Sequence, residues 1–148
     1  MKIIEKKMDL FNLPLDYTLV HCISQDCAMG AGIAKTFNKK YPDMKPKLIK
    51  TLKTNKLKYP RSILYHELNE KHDVINMITK EKYYYKPTYD TFRDALIDVI
   101  ILCKKHGIKK LGMPYIGCGL DKLKWNKVRS IIEKEFVNLD VEIIVCYL

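Results

Sequence analysis

The sequence predicts an α/β fold built on a layered sheet, and three observations carry that expectation. Hydrophobic periodicity switches repeatedly between the two-residue period of a strand and the 3.6-residue period of a helix. Two glycine-rich loops, one from Met29 to Lys35 and one from Gly112 to Asp121, each follow an apolar run and precede an amphipathic stretch. Both therefore fall where a strand ends and a helix follows, which in open α/β sheets is where a binding crevice opens. With 148 residues, 47% of them hydrophobic, the chain can bury one substantial core and reads as one domain spanning residues 1–148, without repeats or low-complexity linkers.

Met1 to Lys7 has charges inside its only apolar stretch, where a signal peptide would have its hydrophobic core, so no secretion signal is expected. Thr18 to Ile23 reads as a short buried strand, and Gly30 to Tyr41 as a helix ended by Pro42. Pro46 to Leu57 is lysine-rich and reads as helical or irregular. Ser62 to Glu67 and Asp73 to Thr79 are candidate strands, joined as a hairpin by the polar turn Leu68 to His72. From Thr88 to His106 apolar residues at Phe92, Leu96, Val99, Ile100 and Cys103 keep helical spacing, and Gly107 stands where a C-cap needs it. Lys109 to Met113 is a short strand into the second glycine loop, Lys124 to Phe136 an amphipathic helix, and Val141 to Tyr147 the last strand.

The formal net charge of +10, from 27 basic and 17 acidic residues, biases the surface toward anionic partners such as nucleotides or nucleic acid. Scattered lysines supply nearly all of that excess, which is equally a compositional habit. Cys22, Cys27, Cys103, Cys118 and Cys146 form no CxxC pair, and an odd count argues against a closed disulfide framework, so a reducing, cytoplasmic setting is expected. His21, His66, His72 and His106 show no metal-ligand spacing, and no metal is expected. The longest apolar segment, Ala95 to Cys103, is far short of a membrane span, and a soluble protein is expected.

A glycine-rich loop at a helix start lets backbone N–H groups point at an anion, and a pair of such loops suggests a diphosphate ligand. Tyr83, Tyr84 and Tyr85, flanked by Lys82 and Lys86, offer aromatic faces beside cations, a pattern used by single-strand nucleic-acid binders. The same tyrosines fit a strand-to-helix loop that packs partly inward and partly faces water.

Six separated motifs stand in a recognisable order: Asp9-Leu10-Phe11, His21 to Ser24, Gly30 to Ala34, Ile78-Thr79-Lys80, Lys86 to Tyr89, and Met113-Pro114 through Ile116 to Asp121. Together they resemble a macrodomain, more narrowly the terminal ADP-ribose protein glycohydrolase branch, which includes macrodomain antitoxins that strip ADP-ribose from DNA. The resemblance runs from Asp9 to Tyr147-Leu148. It implies a three-layer α/β/α sandwich with a central mixed sheet that binds ADP-ribose across the sheet's C-terminal edge. It also implies contacts to ADP-ribose from Asp9, Leu10, His21, Ser24, Gly30, Ala31, Gly32, Ile33, Pro114, Ile116, Gly117, Cys118, Gly119, Leu120 and Leu148. Asp9 and Leu10 would face the adenine, Gly30 to Ile33 would hold the distal ribose and diphosphate, and Gly117 to Leu120 would close over the diphosphate. Family members commonly have glycine before the aspartate, where this chain has Met8. No cofactor and no metal are implied.

The resemblance carries a catalytic pair onto Lys80 and Asp121. A lysine amine is almost wholly protonated at neutral pH and cannot attack carbon until desolvation or neighbouring cations make it neutral. Lys82 and Lys86 are near enough in sequence to contribute. A neutral Lys80 would attack the ring-opened or activated anomeric carbon of the distal ribose, and Asp121 would shuttle protons. Asp121 would also hold Lys80 in an ion pair before substrate arrives. As plainer readings, Asp121 would cap the helix beginning near Lys122 to Trp125, Asp9 would cap a turn before Leu10-Phe11, and His21 and Cys22 would be core residues at a buried strand end.

The function expected is therefore an ADP-ribosyl glycohydrolase that removes mono-ADP-ribose from acidic side chains of proteins. Its partners would be ADP-ribose and mono-ADP-ribosylated proteins, with ADP-ribosylated nucleic acid as a further candidate and no membrane. The alternatives are removal of ADP-ribose from DNA bases, with links to DNA damage, and a reader module that binds without hydrolysis. Oxidation of Cys118, inside the second loop, would block the diphosphate.

Overall fold

The computed structural model describes residues 1–54 and 61–148. Six strands, β1 (Lys2–Lys7), β2 (Thr18–Ser24), β3 (Ser62–Tyr65), β4 (Val74–Lys80), β5 (Lys110–Met113) and β6 (Glu142–Tyr147), form one sheet in the order β1-β6-β5-β2-β4-β3. All neighbours run parallel except β3, which pairs antiparallel with β4 as the expected hairpin. The sheet is therefore mixed. The helices are α1 (Gly32–Lys40), α2 (Met44–Thr54), α3 (Tyr89–His106) and α4 (Trp125–Glu135), with a 3₁₀ turn over Leu10–Asn12.

Alternation along the strands sends side chains into two apolar layers, one on each side of the sheet. Val20, Ile75, Met77, Leu111, Met113, Ile143 and Val145 meet Phe92, Leu96 and Val99 of α3 and Val128, Ile131 and Ile132 of α4. On the opposite face Leu19, Ile23, Val74 and Ile78 meet Phe37 of α1 and Met44 and Leu48 of α2. Helix, sheet and helix layers follow directly from strands that are apolar on both faces.

α3 has the clearest local signals. Thr88 and Thr91 form a reciprocal capping box at its start, and Gly107 ends it in the left-handed region at φ 65°. α2 starts two residues before Pro46 and runs to Thr54, and the rest of the stretch expected through Leu57 lies outside the described residues. β1 was not expected. Its residues are mostly exposed, and it is held at the sheet edge by parallel pairing with β6 from Lys2↔Glu142 to Lys7↔Tyr147. α1 begins at Gly32, not Gly30, so the two residues before it belong to the loop.

Candidate active site

The C-terminal ends of β2, β4, β5 and β6 open into a cavity of about 1510 Å³. Ser24 ends β2, Lys80 ends β4, Pro114 follows β5, and Tyr147 and Leu148 close β6, so parallel pairing alone brings four distant segments to one rim. Both glycine-rich loops line this cavity, Ala28 to Ala34 on one side and Pro114 to Asp121 on the other.

Local backbone geometry explains the residue types in the loops. Cys27 and Met29 take positive φ values of 54° and 48°, conformations that are rare for residues with side chains and mark a constrained turn. Gly32 has φ 59°, and a Cβ there would stand 3.2 Å from Leu120 Cδ1. Gly117 has φ 74°, and its Cβ would stand 3.1 Å from Leu123 Cδ1. Leu120 thus crosses from the second loop to touch the first. The N-terminus of α1 carries neither a side-chain cap nor an acidic residue in its first turn among the described residues, and its residues Gly32, Ile33 and Ala34 line the cavity. An anion is the natural partner for such a terminus.

Lys80 and Asp121 meet in the cavity wall. Lys80 Nζ lies 2.6 Å from Asp121 Oδ1, and the two side chains are only 14% and 15% exposed. Lys80 is held by a strand: after the irregularity between Ile23 and Ser24, β2 pairs Ser24 with Lys80, and Gln25 N–H donates to Lys80 C=O at 2.9 Å. Asp121 lies in the turn that follows Gly119. α4 begins at Trp125 with Lys124 in its cap position and no side-chain cap, so Asp121 does not cap that helix. Its carboxylate is committed to Lys80.

Around the pair stand two thiols and a second carboxylate. Burial pushes the Cys22 thiol up to about 12, with the Asp121 charge acting in the same direction, and burial pushes Cys118 up to about 11. Both are protonated at neutral pH and so are poor nucleophiles. Asp26 accepts from the Ser24 hydroxyl, from Ala28 N–H at 3.2 Å and from Tyr83 N–H at 3.0 Å. Partial burial would raise its carboxyl, but these donors and the Lys80 charge outweigh it and hold the group below the usual carboxylate range.

Of the residues singled out in the sequence, Asp9, Leu10, Ser24, Gly30, Ala31, Gly32, Ile33, Lys80, Pro114, Ile116, Gly117, Cys118, Gly119, Leu120, Asp121 and Leu148 line the cavity. Asp9 also caps the 3₁₀ turn, accepting from Phe11 N–H at 2.9 Å, so the capping and cavity readings coexist. His21 is a correction. It is completely buried on the opposite pleat, stacked on Phe37 at 4.0 Å with Nε2 2.6 Å from Asn76 Oδ1, and it does not reach the cavity. It belongs with Leu19 and Ile23, whereas Cys22 turns toward the cavity.

Further residues join the lining. Phe11, under the Lys40 ammonium at 4.8 Å, joins the Asp9 end, and Trp125 joins the second loop with its ring against Tyr115. Among the described residues, the Trp125 Nε1 donor is buried without a protein acceptor. Tyr83 lines the cavity mouth, while Tyr83, Tyr84 and Tyr85 all remain exposed and pack edge-to-face on one another.

The family model of the Macro domain matches residues 20–132. The chain belongs to the macro domain family. This macro domain is 41% identical to the "ADP-ribose glycohydrolase OARD1" of Bos taurus over 142 residues, covering 94% of this chain and 87% of that one. It is 28% identical over 130 residues to the "DNA ADP-ribosyl glycohydrolase" of Mycobacterium tuberculosis, where the match covers 85% of this chain but 36% of the longer protein. The solved macrodomain of Thermus aquaticus DarG superposes with a TM-score of 0.86 at 21% identity, covering 99% and 98% of the two chains. The three-layer macro domain architecture expected from the sequence motifs is thus the one observed.

Proposed function

We propose that this macro domain is an ADP-ribosyl glycohydrolase that binds ADP-ribose in the cavity and releases mono-ADP-ribose from acidic side chains of proteins. The observation that carries the reading is the partly buried Lys80–Asp121 pair, 2.6 Å apart, set between the two glycine loops. The 41% identical relative, named an ADP-ribose glycohydrolase, supports the same reaction class. The five free thiols support a reducing compartment such as the cytoplasm.

In this reading the α1 terminus and the backbone of Gly117 to Leu120 hold the diphosphate, and Asp9 and Leu10 face the adenine. Binding brings the distal ribose to Lys80 and separates the ion pair, with the lysine proton passing to Asp121. The neutral amine then attacks the anomeric carbon. An N–C bond forms, and the C–O bond to the acceptor breaks with its electron pair while Asp121 hands the proton it took to the departing oxygen, so the acceptor leaves as a carboxylic acid and Asp121 is again a carboxylate. Asp121 next takes a proton from water as the water adds to the same carbon. The N–C bond breaks, Lys80 recovers a proton, and ADP-ribose leaves.

Removal of ADP-ribose from DNA bases is the second reading. It is favoured by the relatives named DNA ADP-ribosyl glycohydrolase and by the exposed tyrosines at the cavity mouth. A glutamate-linked mono-ADP-ribosylated protein and an ADP-ribosylated oligonucleotide, each incubated with the natural chain, Lys80→Ala and Asp121→Ala, test both. Release from the protein is expected, reduced at least ~100-fold in each variant. Release from the oligonucleotide alone moves the activity to nucleic acid, and ADP-ribose binding without release from either leaves a reader.

A further inference from the structure

The tip of the second glycine loop, residues 118–122, is mostly held by its own turns. Cys118 N–H donates to Tyr115 C=O, Lys122 N–H to Gly119 C=O and Leu123 N–H to Gly117 C=O. Among the described residues, two hydrogen bonds reach this tip from elsewhere in the chain. One is Lys80 Nζ to Asp121 Oδ1, and the other is Lys86 Nζ to the Leu120 carbonyl, each 2.6 Å. The first must break for Lys80 to act, so the tip would lose one of its two anchors at the moment Asp121 is needed.

We infer that Lys86 is a positioning residue, whose bond to the Leu120 carbonyl keeps the Asp121 carboxylate in place after Lys80 has left it. The inference rests on the catalytic roles proposed above for Lys80 and Asp121. Lys86 is suited to the task by what holds it. It precedes buried Pro87 and the capped start of α3 at Thr88, so its backbone is fixed to a helix packed in the core. The first turn of α3 also holds the start of α4 just beyond the loop, because the Tyr89 hydroxyl accepts from Lys124 N–H at 3.0 Å. Asp26 pins the preceding segment through Tyr83 N–H, so the stretch from Lys80 to Lys86 is tied to both ligand loops. An ammonium donating to a carbonyl is also a charge-assisted bond, stronger than a neutral one. Lys86 borders the cavity as well, and its competing role is that of a cation touching the ligand directly.

Two measurements separate these roles. In single-turnover release of ADP-ribose, Lys86→Met is expected to slow the reaction about tenfold, because a small displacement of a proton-transfer group costs rate. Its Kd for free ADP-ribose should stay within about threefold of the natural value, and Lys86→Arg, which keeps a donor, should recover most of the rate. An affinity loss as large as the rate loss makes Lys86 a ligand cation and overturns the inference, as does an unchanged rate. The second measurement needs no activity. Amide exchange of Lys122 and Leu123 in the ligand-free protein should rise only a few-fold in Lys86→Met or Lys80→Ala, but at least ~30-fold in the double variant, since each anchor covers for the other. A double effect no larger than the product of the single effects overturns the inference. If coupled exchange is seen while the natural chain releases nothing, the loop brace stands and the glycohydrolase reading falls.

Discussion

His21, fully buried beneath the site, makes stability depend on pH. Desolvation lowers its imidazole from 6.5 to about 4, against the Asn76 hydrogen bond that favours the charged form. The unfolded chain therefore binds a proton that the folded chain refuses between those values, so this contribution to stability is full above the unfolded value and is lost as pH falls toward about 4. The loss amounts to about 3 kcal/mol across that window. Urea unfolding of the natural chain and of His21→Gln, from about pH 7 down to 4.5, checks this: the slope with pH should be distinctly shallower in the variant, and equal slopes would place the acid sensitivity elsewhere. A second residue is fixed by close approach. Gly112, in β5, leaves so little room that a Cβ would stand 2.4 Å from Leu13 Cδ1 and 3.1 Å from Leu19 Cδ2. Gly112→Ala should lower stability by about 1–3 kcal/mol, measured by the same denaturation, because the Leu10 and Leu13 side chains would have to move off the sheet.

The elements divide into those announced by local chemistry and those made by pairing. α3 is of the first kind, and Thr88→Ala, which removes the capping acceptor for Thr91 N–H, should cost about 1 kcal/mol in thermal or urea unfolding while leaving ADP-ribose affinity nearly unchanged. The strands β2, β4, β5 and β6 were also readable as apolar runs, and so were the glycine loops, because positive φ and close contact with Leu120 and Leu123 leave few alternatives to glycine. β1 is of the second kind. Its lysines and glutamate are mostly exposed, and only the parallel partner β6 makes it a strand. The same limit explains His21. Both faces of β2 are covered by helices, so its sequence does not say which pleat turns toward the crevice, whereas the assembled sheet does. The Lys80–Asp121 pair lies between these cases: each residue was recognisable in its motif, but their 2.6 Å contact depends on β4 and the second loop ending at one rim.

At the scale of the whole molecule, the net charge of +10 has to be reconciled with a site that takes a small anion. Lys40, Lys80 and Lys86 border the cavity, but Lys80 is paired with Asp121, Lys86 is bonded to Leu120, and Lys40 lies over the Phe11 ring. In the proposed reading, most of the recognition of a diphosphate then falls to backbone N–H groups at the α1 terminus and the second loop, which salt screens less than it screens exposed side chains. The remaining lysines form a general positive field. Free ADP-ribose should consequently lose only a few-fold in affinity between about 0.05 and 0.5 M salt. An ADP-ribosylated single-stranded oligonucleotide distinguishes the two acceptor classes, because each phosphate engaged beyond the cavity would add roughly 0.7 to the slope of log K against log salt. If the acceptor is an acidic protein side chain, the oligonucleotide slope should exceed that of free ADP-ribose by less than about one such increment. A difference of several increments would mean that the lysines around Tyr83 to Tyr85 track a phosphate backbone, and the acceptor would then be nucleic acid.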